Sequence, residues 1–374
     1  MKIATSILAF CVASLLSLGM VMLYSAIMGE KDAHYLTMQS LWCVLGLAGC
    51  LVMASMDYRI LKKLAWPLFI FSVVLLVLVL IPHIGSRING ARRWFKEPHT
   101  GIRFEPSELA KLALILVVAA YADKNQRKMH EFGRGIAIPG IFIGLVLGLI
   151  FVEPDCGTMM LLASVGGAML LLAGVQWKFI IPPALAAIAG LGYFLWKDPM
   201  RSKRIFAWLD VESNKLGVAL QAKQAMLAFG SGGWTGLGLG NSRAKSGFLP
   251  EHHTDFIFPI IGEELGLITT LAVVVAFVLI MLCGLYISSK ANDSFGMLLG
   301  SGITCLIGLQ AAINIAVVTN TLPNKGLPLP FISYGGSDLL IMLVCVGVLL
   351  SIARHTVLTE EALIPAEVEA IPSV

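Results

Sequence analysis

Between Gly247 and Phe258 the sequence reads Gly-Phe-Leu-Pro-Glu-His-His-Thr-Asp-Phe-Ile-Phe. The polar run Glu251 to Asp255 is wedged between a long polar segment and an apolar one that begins at Phe256. An acid at a water–membrane boundary keeps enough solvation to stay charged, yet sits where lipid-borne head groups pass. Asp255 is therefore the first candidate for acid–base chemistry. His252 and His253 raise the question of a metal, but adjacent histidines cannot share a helix face and no third ligand set accompanies them, so a protein-built zinc site is not supported.

Other stretches could serve an anionic substrate. Asn89-Gly-Ala-Arg-Arg-Trp94 is a turn followed by two cations and an aromatic anchor, and paired guanidinium groups suit phosphate or pyrophosphate. The competing reading of Arg92 and Arg93 is a basic interfacial turn. Glu108 and Lys111, one helical turn apart behind Pro106, can pair on one face at depth. Glu153-Pro-Asp155 places two acids in a tight connection, open to turn chemistry or to a substrate or cation contact. The glycine-rich run Gly230 to Asn241 has no strand before it, which argues against a dinucleotide loop. It reads instead as a closely packed loop bringing backbone near a ligand, behind a helical stretch from Leu216 to Phe229 that carries Gln221 and Lys223. Glu263 and Glu264 fall two turns beyond Asp255 and are expected to pair or hydrogen-bond inside a bundle. Asn320 to Ser337 holds three prolines and three glycines; irregular backbone at membrane depth must line a cavity rather than face lipid.

The elements that position these residues are membrane helices. The 374 residues are 57% hydrophobic and 13% charged, with a mean hydropathy of +0.84, which excludes an ordinary soluble domain. Apolar runs predict about ten transmembrane helices, near 5–27, 38–56, 64–81, 107–121, 136–152, 156–175, 179–196, 256–287, 295–318 and 338–352. The fold class is thus an all-α polytopic membrane protein, a single transmembrane domain over 1–355 with a short, unstructured cytoplasmic tail over 356–374. The seven cysteines lie in or beside apolar runs without C-x-x-C spacing and read as small hydrophobes.

Orientation follows from lysine and arginine in the short loops. With the N-terminus inside, Lys2, Arg59, Lys62, Lys63, Lys124, Arg127, Lys128, Arg134, Lys178, Lys290 and Arg354 are internal, and the short outer loops keep only Lys31 and Lys325. Both termini are then cytoplasmic. Two long loops, 82–106 and 197–255, fall outside and are each at +3 by their Lys, Arg, Asp and Glu content, a setting for capture of a phosphorylated, membrane-anchored substrate.

Taken in order, Asn89-Gly-Ala-Arg-Arg-Trp94, Phe104-Glu-Pro-Ser-Glu-Leu-Ala-Lys111, Leu249-Pro-Glu-His-His-Thr-Asp-Phe-Ile-Phe258, Gly262-Glu-Glu-Leu-Gly266 and Pro330-Phe-Ile-Ser-Tyr-Gly-Gly336 resemble the SEDS family (shape, elongation, division and sporulation) over nearly the whole chain. Gly238-Leu-Gly-Asn-Ser242 is more like the division branch than the elongation branch. The resemblance implies a peptidoglycan glycosyltransferase that polymerises lipid II on the outer face of the cytoplasmic membrane, at the septum in the division branch. Partners would be a class B penicillin-binding protein (a transpeptidase of the FtsI type) and other divisome proteins; nucleic acid is not among them. Asp255 matches the family's essential acid. Substrate contacts are expected from Arg92, Arg93, Glu108, Lys111, Gln221, Glu251, His253, Lys325 and Ser333, with or without a divalent cation, Mg2+ or Mn2+. Three departures stand out: Glu153 where glutamine is usual, Ala219-Leu220 in place of Gly-Tyr, and Asp338 after Ser337. A lipid flippase or transporter would use the same polar features, an elongation-type polymerase the same chemistry, and a scaffold would leave the polar site unexplained. Gly296, Gly300 and Gly308 form a small-residue stripe on the ninth span, where the partner's single helix is expected to dock.

Overall fold

The computed structural model describes residues 1–27, 34–88, 91–96, 103–197, 208, 220–245, 254–323 and 326–369. Its helices are α1 (Lys2–Ala26), α2 (His34–Ser55), α3 (Arg59–Leu80), α4 (Pro106–Lys124), α5 (Ile138–Val152, entered through a π-helical stretch Phe132–Ala137), α6 (Cys156–Leu172), α7 (Trp177–Lys197), α8 (Leu220–Gly232), α9 (Ile257–Ser289), α10 (Ser294–Val318) and α11 (Gly336–Glu369). Each of the ten expected spans coincides with one of these. Among the described residues, seven helices are long and apolar enough to cross a membrane by length and composition. Of the others, α4 carries Glu108, Lys111, Asp123 and Lys124, and α6 has 17 residues.

Within loop 82–106, β1 (Ser86–Ile88), β2 (Ala91–Lys96) and β3 (Arg103–Phe104) form a small antiparallel sheet in the order β1-β2-β3. α11 runs on to Glu369, into the stretch expected from sequence to be a tail.

The centre of the bundle is α4, buried along almost its whole length from Pro106 to Ala122 and flanked by α3, α6 and α10. At one end Asp57, Tyr58, Asp293 and His355 gather: the Tyr58 hydroxyl donates to Asp293 Oδ1 at 2.8 Å, and the Ser351 hydroxyl donates to the Met56 carbonyl at 2.6 Å. At the other end lie β2, the 153–155 turn, the 254–256 turn and the 326–335 loop. This sorts the loops into the two groups that the lysine and arginine count separated.

The small-residue stripe of α10 is filled by the chain itself. A Cβ on Gly296 would meet Asp293 and Tyr58, one on Gly300 the Ser288 side chain, and one on Gly308 the Met281 side chain. The stripe packs α10 against α9 and the α2–α3 turn, so it is not open for a partner's helix to dock.

Candidate active site

The site is built at the end of the bundle that carries the 254–256 turn. Asp255 immediately precedes α9, and its own carbonyl accepts a 2.9 Å hydrogen bond from Asn314 Nδ2 on α10. The same amide nitrogen donates to the Leu327 carbonyl at 2.7 Å. A Cβ built on Gly326 would lie 2.9 Å from Asp255 Oδ2, so the carboxylate rests against a backbone that only glycine leaves open. Gly157, at the start of α6, reaches the same loop from the other side, with Leu327 Cγ 3.1 Å from where its Cβ would be.

Beneath this surface runs a closed polar network. Lys111, fully buried, donates to both oxygens of Glu108 at 2.8 Å and to Gln310 Oε1 at 3.0 Å, and lies 3.6 Å from Asp338. Gln310 Nε2 in turn donates to Asp338 Oδ1 at 2.9 Å and to the Pro328 carbonyl at 3.1 Å. The predicted Glu108–Lys111 pair is therefore formed, and all three ammonium hydrogens of Lys111 are used inside the chain. Asp338, one of the departures from the family pattern, is absorbed by the same network. Gln310 and Asn314 were not singled out from sequence. The available signal was a pair of amides at i, i+4 inside an otherwise apolar span, the kind of polar residue that seldom faces lipid.

The two arginines do not act as a pair. Successive residues of a strand point to opposite faces, and β2 sends Arg92 toward the end of α3, with one long bond of 3.5 Å to the Leu80 carbonyl. Arg93 goes the other way. It donates to the Glu153 carbonyl at 3.1 Å and the Pro154 carbonyl at 2.7 Å, and meets Asp155 Oδ2 at 3.4 Å. Asp155 also caps α6, accepting from Thr158 N and Oγ1. Arg93 is thus a clamp on the α5–α6 turn, and the turn-chemistry reading of Glu153-Pro-Asp155 holds for Asp155.

Glu153 is the exception. It is 1% exposed, and neither carboxylate oxygen has a hydrogen-bond partner among the described residues. Burial, then the neighbouring Glu105 and Asp155, push its carboxyl up to about 8 against the opposing pull of Arg93. The folded state therefore holds a proton that the unfolded chain releases, so stability is full below the ordinary value of 4.5 and is lost as pH rises through about 8. Glu153→Gln keeps the shape and removes the proton. Thermal unfolding in detergent should show the variant little changed near pH 4 and more stable than the parent by about 1–3 kcal/mol near pH 9; a difference that does not grow with pH would contradict this assignment.

The glycine-rich run is a backbone plug. α9 breaks at Gly266, where φ is 78°, and the break releases carbonyls at 263 and 264 and amides at 267 and 268. Segment 233–238 replaces the missing helical bonds: Leu237 N and Gly238 N donate to the Glu263 and Glu264 carbonyls at 2.9 and 3.0 Å, while Leu267 N and Ile268 N donate to the Gly233 and Trp234 carbonyls at 2.9 and 3.4 Å. A Cβ on Gly236 would strike the Glu264 carbonyl. The expected ligand-facing loop thus approaches the chain's own backbone. Glu263 and Glu264 hydrogen-bond inside the bundle as expected, Glu263 accepting from the Ser242 hydroxyl and Ala244 N, Glu264 from Ser25 Oγ at 2.5 Å and Lys245 Nζ at 3.1 Å.

Of the remaining expected contacts, Gln221 lies on α8 on the stripe of Ala225, Ala228 and Gly232 that packs on α9. Ser333 turns inward: its hydroxyl accepts from Leu329 N at 2.8 Å and its carbonyl accepts from Gln39 Nε2 at 3.2 Å. It braces the 329–333 turn. Glu251, His253 and Lys325 lie outside the described residues. Among the described residues no three His, Cys, Asp or Glu side chains converge as metal ligands, so they offer no cage for Mg2+ or Mn2+.

The geometry has close counterparts. Residues 6–358 match the family described as cell cycle protein, comprising FtsW, RodA and SpoVE. A protein of Trichlorobacter lovleyi named probable peptidoglycan glycosyltransferase FtsW is 40% identical over 93% of this chain and 92% of its own length, and one of Pseudomonas fluorescens with the same name is 36% identical over 92% and 86%. Among solved structures, a chain of a peptidoglycan synthase complex described as coordinating polymerization and crosslinking superposes with a TM-score of 0.78 at 28% identity, covering 93% of this chain and 97% of that one. The rod shape determining protein RodA of Thermus thermophilus gives 0.68 at 27%, covering 93% and 96%.

Proposed function

This chain belongs to the FtsW, RodA and SpoVE family of cell cycle proteins, and we propose that it is a peptidoglycan glycosyltransferase that polymerises lipid II on the outer face of the cytoplasmic membrane. The observation that carries the reading is the placement of Asp255: a carboxylate at the mouth of a multi-pass bundle, set against the bare backbone of Gly326 and anchored through its own carbonyl. Chain growth needs a sugar hydroxyl made nucleophilic and a lipid pyrophosphate made to leave. Asp255 takes the proton of the acceptor 4-hydroxyl as that oxygen bonds to the donor's anomeric carbon and the bond from that carbon to the pyrophosphate breaks, a contribution of about 10² to 10⁴ in rate. Charge growing on the pyrophosphate is offset by the cations of the outer loops. Arg92, with a single long internal bond, suits that role better than Arg93, which holds the α5–α6 turn. A divalent cation would come with the pyrophosphate.

Relatives named FtsW favour septal synthesis during division, in which both termini lie in the cytoplasm, a class B penicillin-binding protein supplies the cross-linking, and other divisome proteins join them. The rival activity, lipid flipping, is separated by giving labelled lipid II to the purified chain and its transpeptidase partner in detergent micelles. Translocation has no meaning there. Glycan strands are the expected product; lipid II recovered unchanged, while the same preparation moves it across a reconstituted bilayer, would favour the flippase.

A further inference from the structure

The strongest unassigned feature is Asn314, 1% exposed within the apolar helix α10. Its two amide hydrogens go to carbonyls from two different segments, that of Asp255 at 2.9 Å and that of Leu327 at 2.7 Å, while Oδ1 is buried with no partner among the described residues. Two acceptors demand an NH2 group, and the unfilled oxygen shows that the site is built around the donor side. Gln310, one turn earlier, holds the next part of the same loop at Pro328 and is itself held by Lys111 and Asp338. The residue before Leu327 is Gly326, whose missing Cβ admits Asp255 Oδ2. One amide therefore ties the backbone of the acid to the backbone that the acid's carboxylate touches.

We propose that Asn314 is a positioning residue for the transfer reaction: it fixes the Asp255 carboxylate against the 326–328 backbone, and Gln310 and Lys111 hold that backbone from below. The proposal rests on the reading of Asp255 as base. It adds that the orientation of this base is set from α10, where an apolar residue of similar volume would fill the space but release both segments.

A merely space-filling role and a positioning role separate in kinetics. Asn314→Leu keeps the branched outline of the side chain and donates nothing. Under positioning, it lowers kcat by about tenfold or more while KM stays within about threefold, because the lost interaction orients the base rather than binding substrate. Asn314→Asp supplies the second arm. Its ionised carboxylate faces two carbonyl oxygens and repels them, whereas its protonated form regains one O–H donor. The ratio of its kcat to that of the parent should therefore climb as pH falls, and taking the ratio divides out titration of groups shared by both proteins. The ionisable side chains brought in by the partners of Asn314 are Asp255 itself and, through Gln310, Lys111 and Asp338, all present in both proteins. An unchanged kcat in Asn314→Leu, or a ratio for Asn314→Asp that is flat with pH, overturns the proposal; if Asn314→Leu does not fold, the pH ratio alone decides it. Asp255→Asn is run alongside. If that variant keeps the parental rate, the base assignment falls and takes this inference with it, whereas an inactive Asp255→Asn beside a fully active Asn314→Leu removes the positioning role alone.

Discussion

Lys111→Met should cost about 3–5 kcal/mol of stability, the penalty for breaking a buried ion pair by removing one partner. Lys111 is fully buried and serves Glu108, Gln310 and Asp338 together. Without its charge, the buried carboxylates of Glu108 and Asp338 lose the cation they share, and Gln310, which holds the 326–330 loop at Pro328, loses one of its own anchors. Methionine replaces the stem of the side chain, so packing changes little and the loss is electrostatic. Thermal unfolding in detergent should show a large drop for Lys111→Met, partly restored when Glu108→Gln is added, because the second change removes one of the stranded charges. A double variant no more stable than Lys111→Met would mean that the lysine stem, and not its charge, is what the core needs.

How much of this was legible in the sequence differs from element to element. The spans were legible because lipid leaves the backbone only one solution, and the pattern of apolar runs records it. The Glu108–Lys111 pair was legible because both partners sit on one helix at a fixed spacing. The fate of Glu263 and Glu264 was legible in kind, since two adjacent acids at membrane depth must be satisfied, but their partners Ser25, Ser242 and Lys245 come from other elements and no local spacing announces them.

The same distinction explains the misses. Arg92-Arg93 looked like a pair because the residues are adjacent, yet adjacency on a strand separates side chains to opposite faces, and the strand itself was hidden inside a loop. The glycine stripe of α10 looked like an interface because small residues allow close approach; periodicity does not say whether the approaching element belongs to a partner or to α9 of the same chain. The glycine-rich run was rightly read as a place of close backbone approach, but the backbone it meets is the break at Gly266, a feature made visible only when both segments are seen together. Asn314 and Gln310 passed unnoticed because each is a single polar residue in an apolar helix, and their meaning lies in carbonyls 13 and 18 residues away in the chain.

Asp255→Asn should lower glycan synthesis by about 10² to 10⁴ while leaving the protein folded, because it removes a proton acceptor whose contribution has that size and keeps the shape of the side chain. The fold should tolerate it: the contact from Asn314 is to the backbone carbonyl of residue 255, which the substitution keeps, and an amide fits the space beside Gly326 that the carboxylate occupies. The direct measurement is the initial rate of glycan strand formation from labelled lipid II, in detergent, by matched amounts of the parent and Asp255→Asn, each purified with the proposed transpeptidase partner and checked for equal thermal stability. Long strands from the parent and a rate lower by about a hundredfold or more from the variant are the expected result; a variant that polymerises within about tenfold of the parent would contradict the assignment of Asp255 as the general base.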